Sequence, residues 1–338
     1  MNAYYRPVPS LDSSRPAKAL PMANGPAWFD SVERLERGRP AELVPLTEVP
    51  GEILEILSGP RPPVENLTLD RPRLMGILNV TPDSFSDGGR FDAPRKAVAR
   101  GRALICGGAD ILDIGGESTR PGASEVPMAD EIARTAPVIE ILARDIEAPI
   151  SIDTRKAEVA RKALDAGARI VNDVSGLFFD PNLARIAAET DAPIVLMHSR
   201  GSPENMQDAP RYDNVLLDVY DALARRIETA LAAGICRDRI AIDPGIGFGK
   251  TLEHNLALLA RLSLFHGLGC ALLLGASRKR FIGTLGNAPD PVARVPGSLA
   301  VALAALRQGV HILRVHDIPA TKQALALYLA ANGAAGFE

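Results

Sequence analysis

The chain is poor in the features that mark secreted, membrane-spanning and nucleic-acid-binding proteins. Only three of its 338 residues are cysteines, and Cys106, Cys236 and Cys270 lie too far apart for metal-ligand or redox spacing. This usage predicts a reducing, cytoplasmic compartment. Residues 1–10 lack the apolar core of a signal peptide, and no apolar run is long enough to cross a bilayer. We therefore expect no membrane partner.

The charge of the chain is nearly balanced. Lysine and arginine total 38 and aspartate and glutamate total 41, which gives a formal net charge of -3 with no basic block. A nucleic-acid-binding protein usually carries a basic patch or stripe, so nucleic acid is not expected as the main partner. Hydrophobic residues make up 46% of the chain, enough for a large core.

Residues 1–72 differ in composition from the rest of the chain. They hold 12 of the 27 prolines, which prevents any long helix there. Two short amphipathic stretches remain, at 28–37 and 52–57. We interpret residues 1–72 as a partly irregular extension that packs on the main domain or is partly disordered.

From residue 73 onward, a single unit recurs eight times. An apolar run ends in polar residues, a loop follows, and an amphipathic helical pattern comes next. The runs cover 74–78, 111–114, 149–152, 170–171, 194–197, 240–242, 271–274 and 312–315, and the helical patterns cover 94–106, 128–144, 157–166, 182–189, 215–233, 252–262, 298–308 and 319–331. We predict an α/β fold for residues 73–338, a (β/α)₈ TIM barrel.

A doubly wound parallel sheet would have the same spacing of strands and helices. Two features favour the barrel. The count of units is eight, and nearly every run ends in a polar side chain. In a barrel all these ends meet at one mouth, where the active sites of barrels lie, whereas an open sheet needs chemistry only near its switch point.

The predicted mouth combines carboxylates, an amide, and cationic and neutral donors. These side chains are Asn79, Thr119, Arg120, Asp153, Asn172, Asp243, Ser277, Arg278, Lys279, Arg314 and His316. Carboxylates and an amide suit a flat polar heterocycle that presents N–H and amino groups. Arg314 and His316 are two residues apart on a strand and so share a face, which suits an anion. A single aspartate at the end of a strand is often only a helix cap. The prediction of a ligand site therefore depends on the convergence of many polar residues at the mouth.

The glycine-rich segment 245–251 nearly matches a phosphate-binding P-loop. The glycine that the motif requires five residues before Gly249 is replaced by Pro244. We interpret the segment as a tight loop that presents Phe248, and a nucleotide triphosphatase is poorly supported. No histidine pair has zinc spacing, so a metal here would be a hard cation held by substrate phosphates, with Asn79 as one oxygen ligand.

Eight motifs in this order resemble the dihydropteroate synthase family, the folate-pathway enzymes that sulfonamides inhibit. They are NVTPDSFSDGG at 79–89, GGESTRPG at 115–122, SIDT at 151–154, VND at 171–173, LMH at 196–198, DPGIGFGK at 243–250, SRK at 277–279 and RVHD at 314–317. Together they cover nearly all of residues 73–331. The resemblance implies a (β/α)₈ fold and a condensation of 6-hydroxymethyl-7,8-dihydropterin diphosphate with p-aminobenzoate. We hypothesise an SN1-like displacement, because negative charge on Asp243 and Asp153 would stabilise a cationic methylene.

The same resemblance assigns roles to individual residues, and the sites it implies are as follows. The pterin site comprises Asp153, Asn172, Met197, Asp243, Phe248 and Lys279; the diphosphate site Asn79, Arg314 and His316, with Mg²⁺ on Asn79; and the p-aminobenzoate site Phe85, Thr119, Arg120, Pro121 and Ser277, with Lys279 shared. Asp243, Asp153, Lys279 and Asn79 are the implied catalytic group. The resemblance also implies a homodimer formed through the last helices.

Two other functions fit part of this pattern. A pterin-binding methyltransferase barrel would share the aspartate and asparagine site, but it would not need Arg314, His316 or the loop at 79–89. A non-catalytic pterin-binding paralogue would be favoured by the loss of a catalytic residue, and each of the named positions is kept.

Overall fold

The protein is described from a computed structural model, which covers residues 3–23, 25–81, 93–118, 123–201 and 210–333. The N-terminal extension comes first in the chain. Its elements are β1 (Tyr4–Pro7), β2 (Leu20–Pro21), β3 (Trp28–Phe29), β4 (Ser31–Leu35), β5 (Glu42–Pro45) and helix α1 (Gly51–Ser58). β1, β4 and β5 form a three-stranded antiparallel sheet, and β2 pairs with β3. Of the two amphipathic stretches, 52–57 is helical and 28–37 is mainly strand.

Eight parallel strands then close into a barrel. They are β6 (Arg73–Asn79), β7 (Ile111–Gly115), β8 (Ile150–Asp153), β9 (Ile170–Asp173), β10 (Ile194–Met197), β11 (Ile240–Asp243), β12 (Ala271–Leu274) and β13 (Ile312–Val315). Neighbours in the chain are neighbours in the barrel, and β13 pairs with β6 to close it. The predicted (β/α)₈ fold is confirmed.

Helices lie between successive strands of the barrel, and one more follows the last strand. They are α2 (Ala93–Cys106), α3 (Met128–Asp145), α4 (Ala157–Asp165), α5 (Asn182–Thr190), α6 (Val215–Ala232), α7 (Leu252–Leu259), α8 (Arg280–Leu285), α9 (Val295–Arg307) and α10 (Ile318–Ala331). Their apolar faces pack on the outside of the barrel, as in the buried face of α4, formed by Val159, Ala160 and Ala163. None of the described helices is long and apolar enough to cross a membrane.

Several elements differ from the sequence prediction. The strand predicted at 170–171 continues to Asp173, because Asn172 and Asp173 pair with Val195 and Leu196 of β10. The helix predicted at 252–262 ends at Leu259, and a buried 3₁₀ helix, Leu262–Leu268, follows it. Helix α8 has only six residues and carries too little periodicity to be recognised.

The lower end of the barrel interior is filled by apolar side chains. Met75, Ile111 and Ile170, from the first halves of their strands, pack there with Val64 and Leu69 from the segment before β6. The extension therefore closes the end of the barrel opposite the mouth. Apolar packing at this end contributes to stability, whereas the opposite end carries the polar side chains.

The rest of the extension packs against α6 and the 3₁₀ helix Leu262–Leu268. Tyr4 Oη donates to Asp221 of α6 at 2.9 Å, and the Tyr4 ring meets Tyr220 edge to face. Arg37 bridges Asp218 and Asp221 at 2.7 Å each. Residues 3–72 are thus joined to the barrel by packing, hydrogen bonds and ion pairs.

Candidate active site

The carboxyl ends of the strands form a polar mouth. Asp153 and Asp243 are the last residues of β8 and β11, Asn79 is the last residue of β6, and Asn172 lies one residue before the end of β9. The side chains of Asp153, Asn172 and Asp243 are buried, with exposures of 8%, 3% and 5%. Parallel strands of a closed barrel bring these ends together, so residues separated by up to 164 positions lie at the same end of the barrel.

A buried ion-pair network crosses the barrel beneath the mouth. Arg314 Nε donates to Asp113 Oδ2 at 2.5 Å, and Arg314 Nη2 donates to Asp153 Oδ2 at 2.5 Å. Asn172 Nδ2 donates to both Asp113 oxygens at 3.2 and 3.3 Å. Asp113 therefore orients two of the predicted site residues at once.

Sequence reasoning missed Asp113. It lies in the apolar run Ile111–Gly115 of β7 and is fully buried. A charged residue inside a buried run was the available signal, since buried carboxylates are almost always paired. The partner lies 201 positions away, so the sequence could not name it.

Asp153 is only partly satisfied by the described residues. Its Oδ1 atom is buried and has no hydrogen-bond partner among them. Burial raises the pKa of Asp153 to about 7, although the Arg314 guanidinium lowers it. A buried acceptor without a donor is costly, so this oxygen is suited to receive an N–H group from a ligand.

Asp243 and Lys279 form the opposite side of the site. Asp243 Oδ1 accepts from the Gly245 backbone N–H at 2.7 Å. Lys279 Nζ donates to the carbonyl of Ile246 and lies 4.3 Å from the centroid of the Phe248 ring. Burial raises the pKa of Asp243, and it lowers the pKa of Lys279 to about 8; each charge opposes the shift of the other.

The residues after β12 and β13 meet at the rim. Ser277 Oγ lies 3.1 Å from His316 Nδ1 and accepts from the His316 backbone N–H at 3.3 Å. Arg278 has a φ of 58° and pairs with Asp317 through two nitrogens, so it points to the helix α10 side and not into the cavity. Of the two cations predicted after β12, only Lys279 contacts the site.

A second buried ion cluster supports the loop after β7. Glu117 accepts from Arg155 Nε at 2.9 Å, Lys156 Nζ at 3.1 Å and the Val126 backbone N–H at 2.9 Å. Lys156 Nζ also donates to Glu131 at 2.8 Å. Burial raises the pKa of Glu117, but the net shift is downward because the hydrogen bonds from Arg155, Val126 and Lys156 outweigh it.

Most of the predicted site residues are brought together. Met197, at the end of β10, is buried, and its carbonyl accepts from Arg226 of α6. The predictions for Phe85, Thr119, Arg120 and Pro121 fall outside the described residues. The described residues hold no cluster of three or more acidic, histidine or cysteine ligands.

A closed eight-stranded barrel with carboxylates, an amide and a lysine at its carboxyl-terminal mouth is an enzyme of the (β/α)₈ class. The profile of the pterin binding enzyme family matches residues 75–316. Dihydropteroate synthase of Escherichia coli is 48% identical over 260 residues, which is 77% of this chain and 92% of that protein. The chain therefore belongs to the pterin binding enzyme family and, within it, to the dihydropteroate synthases.

Solved structures give the same relationship. Xanthomonas albilineans dihydropteroate synthase with 4-aminobenzoic acid has a TM-score of 0.76 at 49% identity and covers 80% of this chain and 96% of its own. The same enzyme in complex with 7,8-dihydropteroate has a TM-score of 0.74 at 45% identity and covers 82% of this chain and all of its own, 100%. The family profile begins at residue 75, so the extension lies outside the matched region.

Proposed function

We propose that this chain condenses 6-hydroxymethyl-7,8-dihydropterin diphosphate with p-aminobenzoate and gives 7,8-dihydropteroate and pyrophosphate. The observation that carries the proposal is the convergence of Asp153, Asn172, Asp243 and Lys279 in one buried mouth. Two carboxylates, an amide and a lysine match the donors and acceptors on the edge of a pterin ring. Related enzymes solved with 4-aminobenzoic acid and with 7,8-dihydropteroate support the choice of substrates.

In this proposal the pterin ring lies against the buried acceptors. Asp153 Oδ1, which has no donor among the described residues, and Asp243 accept from the amino and ring N–H groups. Met197 and Phe248 line the pocket, and Lys279 donates to a ring acceptor. The ligand would replace water at groups that are already fixed by the barrel, so little reorganisation is required on binding.

The leaving pyrophosphate is assigned to the rim beside Asn79, Arg314 and His316. Arg314 is already paired with Asp113 and Asp153, so it would connect the pterin acceptors to the anion. Asn79 Oδ1 faces Gly115 near Asp153, where a Cβ on Gly115 would approach within 3.8 Å. An amide oxygen in this position suits Mg²⁺, which when bound would neutralise charge on the diphosphate oxygens.

The bond changes are simple. The C–O bond between the pterin methylene and the diphosphate breaks, and its electron pair leaves with pyrophosphate. The amine of p-aminobenzoate then forms the C–N bond and loses one proton to solvent. We infer a dissociative displacement, because Asp153 and Asp243 place negative charge near the methylene that becomes cationic. An aryl amine is neutral at pH 7, so no strong base is needed.

The amine is assigned to the rim formed by Phe85, Thr119, Arg120, Pro121 and Ser277. Ser277 is the one member of this set among the described residues, and its hydroxyl contacts His316, which is assigned to the diphosphate. The two assigned subsites are therefore adjacent. Adjacent subsites would hold the amine next to the carbon that it attacks, which removes much of the entropic cost of a bimolecular step.

The decisive experiment measures pyrophosphate release from the dihydropterin diphosphate with Mg²⁺, with and without p-aminobenzoate. The proposal expects release and 7,8-dihydropteroate formation only when the amine is present. Pterin binding without product would favour a non-catalytic paralogue or a methyltransferase-type barrel, and the absence of binding would contradict the assigned site itself. Omission of Mg²⁺ separately tests the metal assignment.

We also propose a cytoplasmic homodimer. Large apolar side chains are exposed on α8, on the 3₁₀ helix Val292–Arg294 that precedes α9, and on α10, at Leu285, Val292 and Leu327. Such exposure on the last helices is consistent with an interface. Light scattering of the chain and of Leu327→Glu should show a dimer that the substitution weakens. Leu43→Glu, at an equally exposed leucine of β5, is the control, and an unchanged mass for Leu327→Glu would contradict this interface.

A further inference from the structure

The loop between β11 and α7 is built around a buried lysine that no proposed substrate contact uses. Lys250 Nζ lies 2.8 Å from the Gly245 carbonyl, 2.9 Å from the Phe248 carbonyl and 2.9 Å from His198 Nδ1. Only 2% of the Lys250 surface is exposed. Carbonyl oxygens of the loop therefore point inward at a nitrogen of the same chain, which is the reverse of a phosphate-binding loop, where backbone N–H groups point at an anion.

Glycines allow the loop to follow this path. Gly245, Gly247 and Gly249 have φ values of 69°, 84° and 60°. A Cβ on Gly245 would lie 1.8 Å from the His198 carbonyl oxygen, so the backbone passes too close to β10 for any other residue. The glycine-rich pattern resembles a P-loop in the sequence. In the structure it allows the backbone at Gly245 to approach His198 and the loop carbonyls to point at Lys250.

The loop carries three groups that the proposed pterin site needs. It begins at Asp243, whose Oδ1 accepts from Gly245 N–H at 2.7 Å. The Ile246 carbonyl accepts from Lys279 Nζ, and the Phe248 ring lies beneath the same ammonium at 4.3 Å. Each of these positions depends on the backbone path of residues 244–249. Lys250 donates hydrogen bonds near both ends of that segment, to the carbonyls of Gly245 and Phe248.

We infer that Lys250 is a positioning residue: it fixes the loop at 244–249 and so places Asp243, Phe248 and Lys279 for the pterin ring. This inference rests on the proposed function of the same site. Burial lowers the pKa of the Lys250 amine, and Asp243 opposes the shift. His198 packs against the same nitrogen, and its backbone N–H donates to the Asp243 carbonyl at 2.8 Å, which ties the loop to β10.

The test compares the affinity of Lys250→Met for the dihydropterin diphosphate, with Mg²⁺, with that of the parent chain, by isothermal calorimetry. Methionine keeps most of the length of the side chain but has no N–H, so the buried carbonyl oxygens of Gly245 and Phe248 lose their donor. We expect Kd to rise about tenfold or more and kcat to fall. The KM for p-aminobenzoate should change less, because the amine is assigned to the rim.

A loss of stability alone must be separated from a loss of positioning. Met75→Ala removes a fully buried side chain at the opposite end of the barrel and supplies a destabilised variant with an intact loop. At matched melting temperature, a positioning role predicts weaker pterin binding for Lys250→Met alone. Equal Kd values for Lys250→Met and the parent would overturn the inference, as would equal losses in both variants.

A milder variant covers the case in which Lys250→Met does not fold. Tyr212 Oη donates to the Gly249 carbonyl at 2.8 Å, so Tyr212→Phe removes one support of the same loop and retains the ring. We expect a smaller rise in pterin Kd, in the same direction, and an unchanged value would also count against the inference. Failure of the parent chain to bind pterin or release pyrophosphate would instead contradict the proposed function.

Discussion

At the scale of single residues, the site is a set of buried charges whose pKa values depend on one another. Asp153 and Asp243 are buried, and burial disfavours their charged forms. The nearby cations Arg314 and Lys279 stabilise those charged forms. The pKa of Asp243 is raised and that of Lys279 is lowered, and such shifts in opposite directions are typical of catalytic sites. The predictions at this scale therefore change one charge at a time.

Asp243→Asn should abolish most turnover and leave the fold intact. The amide keeps an oxygen that can accept from Gly245 N–H, but it removes the negative charge next to the proposed cationic methylene. Loss of one such electrostatic contact typically costs about 10²–10³-fold in kcat. Steady-state kinetics and circular dichroism together check this, and near-normal turnover in a folded variant would refute the electrostatic role of Asp243.

The pH profile of kcat/KM should be bell-shaped with limbs near the pKa values of Asp153 and Lys279. Asp153 must be ionised to accept from the pterin, so activity falls as pH drops below about 7. Lys279 must be protonated to donate, so activity falls as pH rises above about 8.

Asp113→Asn provides the matched test of the acid limb. Asp113 contributes a negative charge that raises the pKa of Asp153, so its removal should move the acid limb to lower pH. The alkaline limb, set by Lys279, should stay in place. An acid limb that does not move would show that a group other than Asp153 controls it.

At the scale of elements, the loop after β7 is held by charges from two neighbouring units. Glu117 accepts hydrogen bonds from Arg155 and Lys156, which directly precede α4. Lys156 also donates to Glu131 on α3. Residues 119–121, assigned to p-aminobenzoate, follow Glu117 closely in the chain. Glu117 and Val126, which flank residues 119–122 in the chain, are therefore tied to the residues that follow β8.

Glu117→Gln should raise the KM for p-aminobenzoate severalfold and leave pterin affinity near that of the parent. The amide leaves two buried cations without a full counter-charge, which loosens the anchor of the loop. Glu125→Gln is the control, because Glu125 is 54% exposed and lies 4.0 Å from Arg155. An equal loss of pterin and p-aminobenzoate affinity would contradict a role confined to the loop.

At the scale of the whole molecule, the extension and the barrel form one packed body in the described residues. Phe29, Met22 and Leu57 of the extension are fully buried, and they join the same apolar cluster as Phe265 and Leu264 of the barrel. Arg61 adds polar contacts, since it donates to the carbonyls of Ile56, His266 and Cys270. The contacts given above for the described residues of the extension lie away from the mouth, so we expect the extension to contribute to stability.

Phe29→Ala should therefore lower the free energy of unfolding and leave the kinetics unchanged. Truncation of a buried phenylalanine typically costs about 3–5 kcal/mol. Denaturant unfolding measures the first effect, and KM and kcat at a temperature where the variant stays folded measure the second. Altered KM values in the folded variant would indicate that the extension acts on the site.

Sequence patterns determined much of this protein by local rules. Apolar runs and helical periodicity depend on near neighbours in the chain, so they predicted eight strand-helix units, the barrel and the polar strand ends at Asp153, Asn172 and Asp243. They were less informative where tertiary contacts override local pattern. Residues 262–268 form a buried 3₁₀ helix against the extension, and residues 31–35 pair as a strand of its sheet.

Only the tertiary structure decided which charges meet. Arg314 pairs with Asp113, which lies 201 positions away in the chain. Lys250 contacts His198, 52 positions away, and the carbonyl oxygens of its P-loop-like segment point at the Lys250 nitrogen. Coulomb and hydrogen-bond energies depend on distances of a few ångströms and on exclusion of water, and barrel closure sets both. A sequence pattern contains neither the distances between charges nor their exposure to water. The sequence could therefore predict the residues at the mouth, but not the ion-pair network that positions them.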